Sequence, residues 1–265
     1  PLGGSSGRNQ PVTICKNPAQ PGQYLVFTIN AANTLTVSRV DSVASGNETN
    51  FQQPVLWNVA LPKNQPIAGH PAGLSEGMIM MYDQSRNDFW LMTHRTGTTE
   101  YHFIHISEAG INYVGLVSVG LIENVANLAY HEATRRIAVS PREANRDIEV
   151  MNITFPATLP GLPTISSTRV LNSALTTFTT EAIYDTEFSS SGQYLYVSVF
   201  GEGATSGNVL QYALTNPSLT AQSVLSTLPT ESYGLQMGPD GIIYHLYQSG
   251  ANFILGGITR PDSLF

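Results

Sequence analysis

Hydrophobic and polar positions along this chain fall into short alternating runs separated by turn residues. Tyr24 to Ile29, Tyr-Leu-Val-Phe-Thr-Ile, suits a strand covered on both faces, and Leu35 to Val40 alternates cleanly. The two pair through a turn at Asn30-Ala31-Ala32-Asn33. Residues 1–13 are rich in Gly, Ser and Pro and read as a loop. A short strand is expected within Pro54–Leu61, around Val55-Leu56-Trp57, followed by a turn-rich stretch from Lys63 to Pro71. Gly77–Tyr82, Phe89–Thr93, Glu100–Ile106 and Gly110–Leu121 read as successive strands. Asn124–Val139 opens another meander, with Asp147–Phe155 as a partner strand. The prolines at 156, 160 and 163 predict an extended outer loop. A fourth meander spans about Thr180 to Leu228, with Val209–Leu214 as its third strand. A fifth starts near Ser232 and ends on Asn252–Ile258. No segment carries a useful apolar stripe of period 3.6, so helix content is expected to be very low.

One unit recurs within this pattern. Phe188 to Val199, Phe-Ser-Ser-Ser-Gly-Gln-Tyr-Leu-Tyr-Val-Ser-Val, joins a polar turn to a strand of aromatic and β-branched residues. Met237 to Tyr247 repeats that grammar, and looser copies begin at Asn17, Tyr82 and Tyr130. With Gln23, Asn87, Arg135, Gln193 and Gly241 as matching points, the spacings are 64, 48, 58 and 48 residues. A period near ~50 with several strands per repeat predicts the blades of a β-propeller. The fold expected is all-β: four-stranded antiparallel blades, about five of them, in one domain over 1–265. Part of a ring of up to seven blades and an independent five-bladed ring are both compatible with this count.

Composition narrows the class. Charged residues make up 12% of the 265-residue chain, about half of the roughly 25% of an average soluble domain. The polar surface must then rest largely on Ser, Thr, Asn and Gln, which suits an exported protein. A net charge of −7, with no basic cluster to neutralise phosphates, argues against nucleic acid. Cys15 is the single cysteine, so no internal disulfide can form and no cysteine-based metal site is complete. Since small exported eukaryotic modules more often carry disulfides, a bacterial surface protein is expected. No run of ~18 apolar residues spans a bilayer, and no charged-then-apolar signal pattern opens the chain.

Several segments resemble a known family. Leu235-Gln-Met-Gly-Pro-Asp-Gly-Ile-Ile-Tyr244, with Phe253-Ile-Leu-Gly-Gly-Ile-Thr-Arg-Pro-Asp262, looks like the last-blade signature of WD40-like propeller regions in large Bacteroidetes surface proteins. Tyr184 to Val199, Leu2-Gly-Gly-Ser-Ser6 and Tyr24-Leu-Val-Phe-Thr28 are similar to the same pattern. The resemblance covers nearly the whole chain and rests on structural motifs. It implies an extracellular, adhesin-like module linked to gliding motility or type IX secretion. It also implies further blades and a sorting domain elsewhere in a larger polypeptide. This sequence carries neither an upstream blade segment nor a sorting domain after Phe265.

The residues themselves name few reaction centres. His94, His102 and His105 fall close together, but His102 and His105 differ by an odd number and point to opposite strand faces. With no third ligand at a fixed spacing, neither a metal nor another cofactor is expected. Asp185 and Glu187 share one strand face and are channel candidates, for a cation or for glycoside chemistry. Hydrogen bonding at a blade entrance is the plainer role for such a pair. Asp83, Asp88 and Asp240 sit in turns, where Asp serves its own backbone. Gly3-Gly4-Ser5-Ser6-Gly7 spells Gly-x-Ser-x-Gly only within the Gly- and Ser-rich opening loop, so no nucleophile elbow is expected, and no Gly-x-x-x-x-Gly-Lys motif occurs. Aromatic side chains are the better lead: Trp57, Trp90, Tyr101, Tyr233 and Tyr247, with Phe200 and Tyr244, are candidates to line a ring face and stack on sugars or peptides. The plainer role for each is blade core. The function expected is a non-catalytic extracellular module binding a surface glycan or protein. A lactonase- or glycosidase-like propeller hydrolase and a scaffold in a secretion or filament assembly are the alternatives.

Overall fold

A computed structural model of the chain describes residues 12–42, 57–123, 126–141, 148–171, 183–201, 206–215 and 221–264. Among them none is helical, and the strands form five separate antiparallel meanders, here called blades. Blade one orders β1 (Val12–Lys16), β2 (Gln23–Ile29), β3 (Leu35–Ser42) and β4 (Trp57–Pro66). Blade two orders β5 (Leu74–Asp83), β6 (Asp88–Arg95), β7 (Thr98–Ser107) and β8 (Gly110–Glu123). Blade three holds β9 (Ala126–His131), β10 (Arg136–Pro141), β11 (Ile148–Thr154) and β12 (Thr164–Leu171). Blade four holds β13 (Ile183–Phe188), β14 (Tyr194–Val199), β15 (Asn208–Ala213) and the two-residue β16 (Gln222–Ser223). Blade five has three strands among the described residues: β17 (Glu231–Met237), β18 (Ile243–Ser249) and β19 (Asn252–Ile258).

The recurring turn joins the first strand of each blade to the second. A left-handed residue falls at the same place each time: Gly22 (φ 78°), Asn87 (58°), Arg135 (51°), Gly192 (67°) and Gly241 (78°). Glycine takes this conformation without strain, and Asn tolerates it better than most residues. In blade four the Gly192 N–H reaches Ser189 O at 2.8 Å; in blade five the Gly241 N–H reaches Gly238 O at 3.0 Å. The turn repeats as backbone geometry, while its sequence varies.

Two sequence expectations need correction. The N-terminal loop gives way to β1 at Val12, because Cys15 packs inward while its neighbours alternate outward. The stretch from Lys63 is not all turn: β4 runs on to Pro66, at the end of the outermost strand. A proline is tolerated there because an edge strand has no ladder partner for the missing N–H. Among the described residues, blade five shows three strands and the other four blades show four each.

The chain divides into two compact units, residues 1–118 with 155–163, and residues 119–154 with 164–265. In the first, blades one and two bury Leu25, Phe27, Ile29, Leu74, Leu91 and Ile104 in one cluster. In the second, blades three and four share Ala138, Val150, Phe188, Leu195, Val197 and Tyr212. Blades four and five share Tyr196, Val209, Leu235, Ile243 and Ile258. Each buried aliphatic or aromatic side chain contributes about 1.5–3 kcal/mol, and blades hide their faces on one another.

Candidate functional site

The residues with chemistry to offer gather between β13 and β17, the first strands of blades four and five. Both strands are irregular against their own partners, β13 between Ile183 and Asp185, β17 between Ser232 and Leu235. Asp185 and Glu187 lie two residues apart and both reach β17. One Asp185 oxygen accepts the Leu235 N–H at 3.0 Å, the other the Thr186 N–H at 2.9 Å. One Glu187 oxygen accepts the Met237 N–H at 3.0 Å and the Gln236 side-chain amide at 3.3 Å. Its other oxygen accepts the Phe188 N–H at 2.9 Å. Every carboxylate oxygen of the pair therefore has a donor, and backbone donors of β17 find partners they would otherwise lack.

Burial dominates the electrostatics here. It pushes the Asp185 carboxyl up to about 6, against the opposing pull of the Leu235 and Thr186 N–H groups. Glu187 rises to about 7 for the same reason, opposed by the Met237 and Phe188 N–H groups and helped by the nearby Asp185 charge.

An aromatic cluster sits beside the pair. The Tyr184 and Phe200 rings stack at 6.1 Å between centroids. Tyr233 stands edge-on to both, at 5.3 and 5.5 Å. Phe253, 66% exposed, lies 5.7 Å from Tyr233. The Tyr233 hydroxyl donates to Glu231 and contacts the Gln248 side-chain oxygen at 3.2 Å. Burial and the Glu231 carboxylate hold that phenol protonated, up at about 12. Tyr184, Phe200 and Tyr233 are each partly exposed. The arrangement offers apolar ring area with acceptor oxygens at its margin.

Of the aromatic residues named from the sequence, Tyr233 belongs to this cluster, as does Phe200. Trp90 and Tyr101 do not face a ligand: both are fully buried in the first unit. Trp90 stacks on Phe155, with rings 8° from parallel, and on His105 at 4.5 Å; Tyr101 packs on His94 at 5.0 Å. They occupy β6 and β7, middle strands whose faces are covered. Tyr247 stacks on His245 at 5.2 Å and helps line a cavity of about 320 Å³ with Leu228, Ile254 and Gly256. Trp57 opens β4 opposite Ser42, and its side chain lies outside the described residues.

The histidines are separately engaged. His94 contacts Ser75 Oγ at 3.2 Å and Thr98 O at 2.9 Å; His102 Nδ1 lies 2.9 Å from the Tyr113 hydroxyl; His105 Nε2 lies 3.0 Å from Asp88. Among the described residues no group of three or more His, Cys, Asp or Glu is placed to hold a metal ion. Sequence reasoning missed Tyr184 as a platform residue. It also missed the chain Ser198 Oγ–Ser232 Oγ–His245 Nε2, with contacts of 2.9 and 2.7 Å. That hydroxyl–imidazole pair resembles an activated nucleophile, but both serines are fully buried, so it cannot meet a substrate without unpacking. Nothing in the spacing of 232 and 245 announces it.

No protein-family model matches the sequence, and no curated protein does either. Solved structures do. The β-propeller domain of Cps50 (Swd1) from Myceliophteria thermophila has a TM-score of 0.58 at 11% identity, over 93% of this chain and 70% of that one. A protein from Lactobacillus plantarum gives 0.57 at 11%, over 92% and 66%. The exo-β-1,3-galactanase of Phanerochaete chrysosporium, solved with galactose, gives 0.52 at 10%, over 98% and 64%. The chain thus spans about two thirds of the length of these structures. Such likenesses define the class: an all-β β-propeller with five blades among the described residues. The propellers it is similar to differ in what they do, so the fold alone is compatible with several functions. No match bears on the resemblance to Bacteroidetes surface proteins.

Proposed function

We propose that this propeller is a non-catalytic binding and scaffold module of an extracellular surface protein of the adhesin type, and that it receives a neutral glycan on the Tyr184–Phe200–Tyr233 cluster. The observation that carries the reading is the state of Asp185 and Glu187: all four oxygens are taken by N–H donors, three of the four by backbone N–H alone. A general base or nucleophile must be aimed at the substrate; these carboxylates are aimed at backbone N–H groups of β13 and β17. Partly exposed rings with Glu231 and Gln248 at their margin suit the apolar face and hydroxyl rim of a sugar. Low charge, 12% of residues, supports a surface that recognises by stacking and hydroxyl contacts.

Glycan-array screening followed by calorimetry tests this. Binding should be present and should fall at least about tenfold in Tyr233→Ala, the loss expected for one stacking ring. Binding that is absent, or indifferent to Tyr184→Ala and Tyr233→Ala, ends the reading.

Two alternatives each have one observation behind them. The raised carboxyls of Asp185 and Glu187 fit a hydrolase acid. Chromogenic glycosides and lactones are expected to stay intact; turnover abolished by Glu187→Gln would establish that reading instead. The exposed Leu246, Phe253 and Leu255 on one face of blade five fit a scaffold in a surface assembly.

A further inference from the structure

Among the described residues, blade five ends on a strand with an open outer edge. β19 pairs with β18 over seven consecutive residues with no bulge, and among the described residues no strand pairs with its outer edge. Asn252-Phe-Ile-Leu-Gly-Gly-Ile258 carries no charge and no proline, the usual means of blunting an edge. Phe253 is 66% exposed, Ile254 37% and Leu255 65%, so apolar side chains stand open on both faces of the strand.

Residues 261–263, which follow β19, run to blade four instead. Pro261 O accepts from the Tyr196 hydroxyl at 2.9 Å, and Ser263 O accepts from Gln211 at 2.6 Å. The Ser191 N–H donates to Asp262 at 2.9 Å. Residues 261–263 are thereby fastened to blade four. The other four blades each have a fourth antiparallel strand.

The geometry points to a second copy of this chain as the source of that strand: β19 pairs antiparallel with β19 of another molecule about a two-fold axis centred on Leu255. Strand parity makes the sequence self-complementary in this register. Leu255 meets its own counterpart, Phe253 falls opposite Gly257, and Ile254 falls opposite Gly256. Phe253 and Ile254 each meet a glycine, so these rows fit without collision, and glycine in a strand gains cover from an aromatic neighbour. The absence of charge matters for the same reason. In an isologous contact like faces like, and any charge at the centre would repel its copy. The strand pairing involves none of Tyr184, Phe200 and Tyr233, so the inference stands apart from the glycan reading.

Sedimentation velocity of the full chain over a concentration series tests it. A concentration-dependent dimer is expected, and Leu255→Lys should weaken it at least about tenfold by placing two cations face to face. Because Leu255 is exposed, that variant should keep its circular dichroism and thermal midpoint. Leu255→Cys should cross-link two chains on mild oxidation. Hydrogen exchange of the unaltered protein should show β19 amides slowing as concentration rises. A chain that stays monomeric throughout overturns the proposal. So does a dimer that persists in Leu255→Lys, or one whose protection lies outside β19.

Discussion

Ser198, in the second strand of blade four, and Ser232, in the first strand of blade five, hold hydroxyl oxygens 2.9 Å apart with both side chains fully buried. Ser140 and Thr186 repeat the relationship between blades three and four at 3.4 Å. Small hydroxyls at these positions let neighbouring strands approach while keeping each polar atom satisfied.

Ser232 also contacts His245 Nε2 at 2.7 Å. Ser232→Val removes the hydroxyl that contacts this buried ring nitrogen and should destabilise the fold by about 1–3 kcal/mol. Ser198→Ala leaves His245 partnered and should cost about 0.5–1.5 kcal/mol. Urea titration of both variants checks the order.

The acid side of the stability profile should be set by buried imidazoles. Burial lowers His70 and His245 to about 4, and lowers His94 and His102 as well. Their folded values lie below the usual 6.5, so the unfolded chain takes up protons first. The contribution is whole above about pH 6.5 and is lost as pH falls towards 4. Denaturation midpoints between pH 7 and 4 should fall accordingly.

The carboxylate pair has the opposite sign. Asp185 is raised from 3.8 to about 6 and Glu187 from 4.5 to about 7. Their contribution is present below the unfolded values and is lost as pH rises through 6 and 7. Glu187→Gln cannot ionise. Its stability deficit relative to the parent chain should therefore shrink as pH goes from 5 to 8, which paired titrations at those values would reveal.

The repeated turn can be tested by adding a methyl group. Gly192 sits at φ 67°, and a Cβ there would lie 2.5 Å from His131 Nδ1. Gly250, at φ 60°, has nothing within 4 Å of such an atom. Gly250→Ala should cost about 1 kcal/mol for the left-handed backbone, and Gly192→Ala should cost more through the added clash. Thermal melts of the two variants separate the contributions.

Trp90→Ala should lose about 3–5 kcal/mol and leave glycan binding unchanged in whatever fraction stays folded. That combination would confirm the residue as core.

Much of the architecture was legible because turn chemistry is local. The Gly192 and Gly241 turns, and the strands on either side of them, show in a dozen residues. β12 and β16 left weaker marks, one following a proline-rich loop and the other only two residues long. The site was harder to read. Period-two alternation tells which face a residue takes, but not whether that face is covered. In a stack of blades both faces can be, and so Trp90 and Tyr101 looked available when they are core. Alternation put Asp185 and Glu187 on one face, but their partners across the blades are Leu235 and Met237, fifty residues on. Those contacts run to backbone N–H groups, which every residue but proline carries, so no side-chain pattern could signal them.

The two acids of β13 are spaced two residues apart, and so are the amides they grip. Sliding one strand past the other by a single position would part both carboxyl groups from their β17 donors at once, and a half-step has nothing to hold. The offset between these blades is therefore quantised like a key in its wards: the pair works less as glue than as an alignment mark.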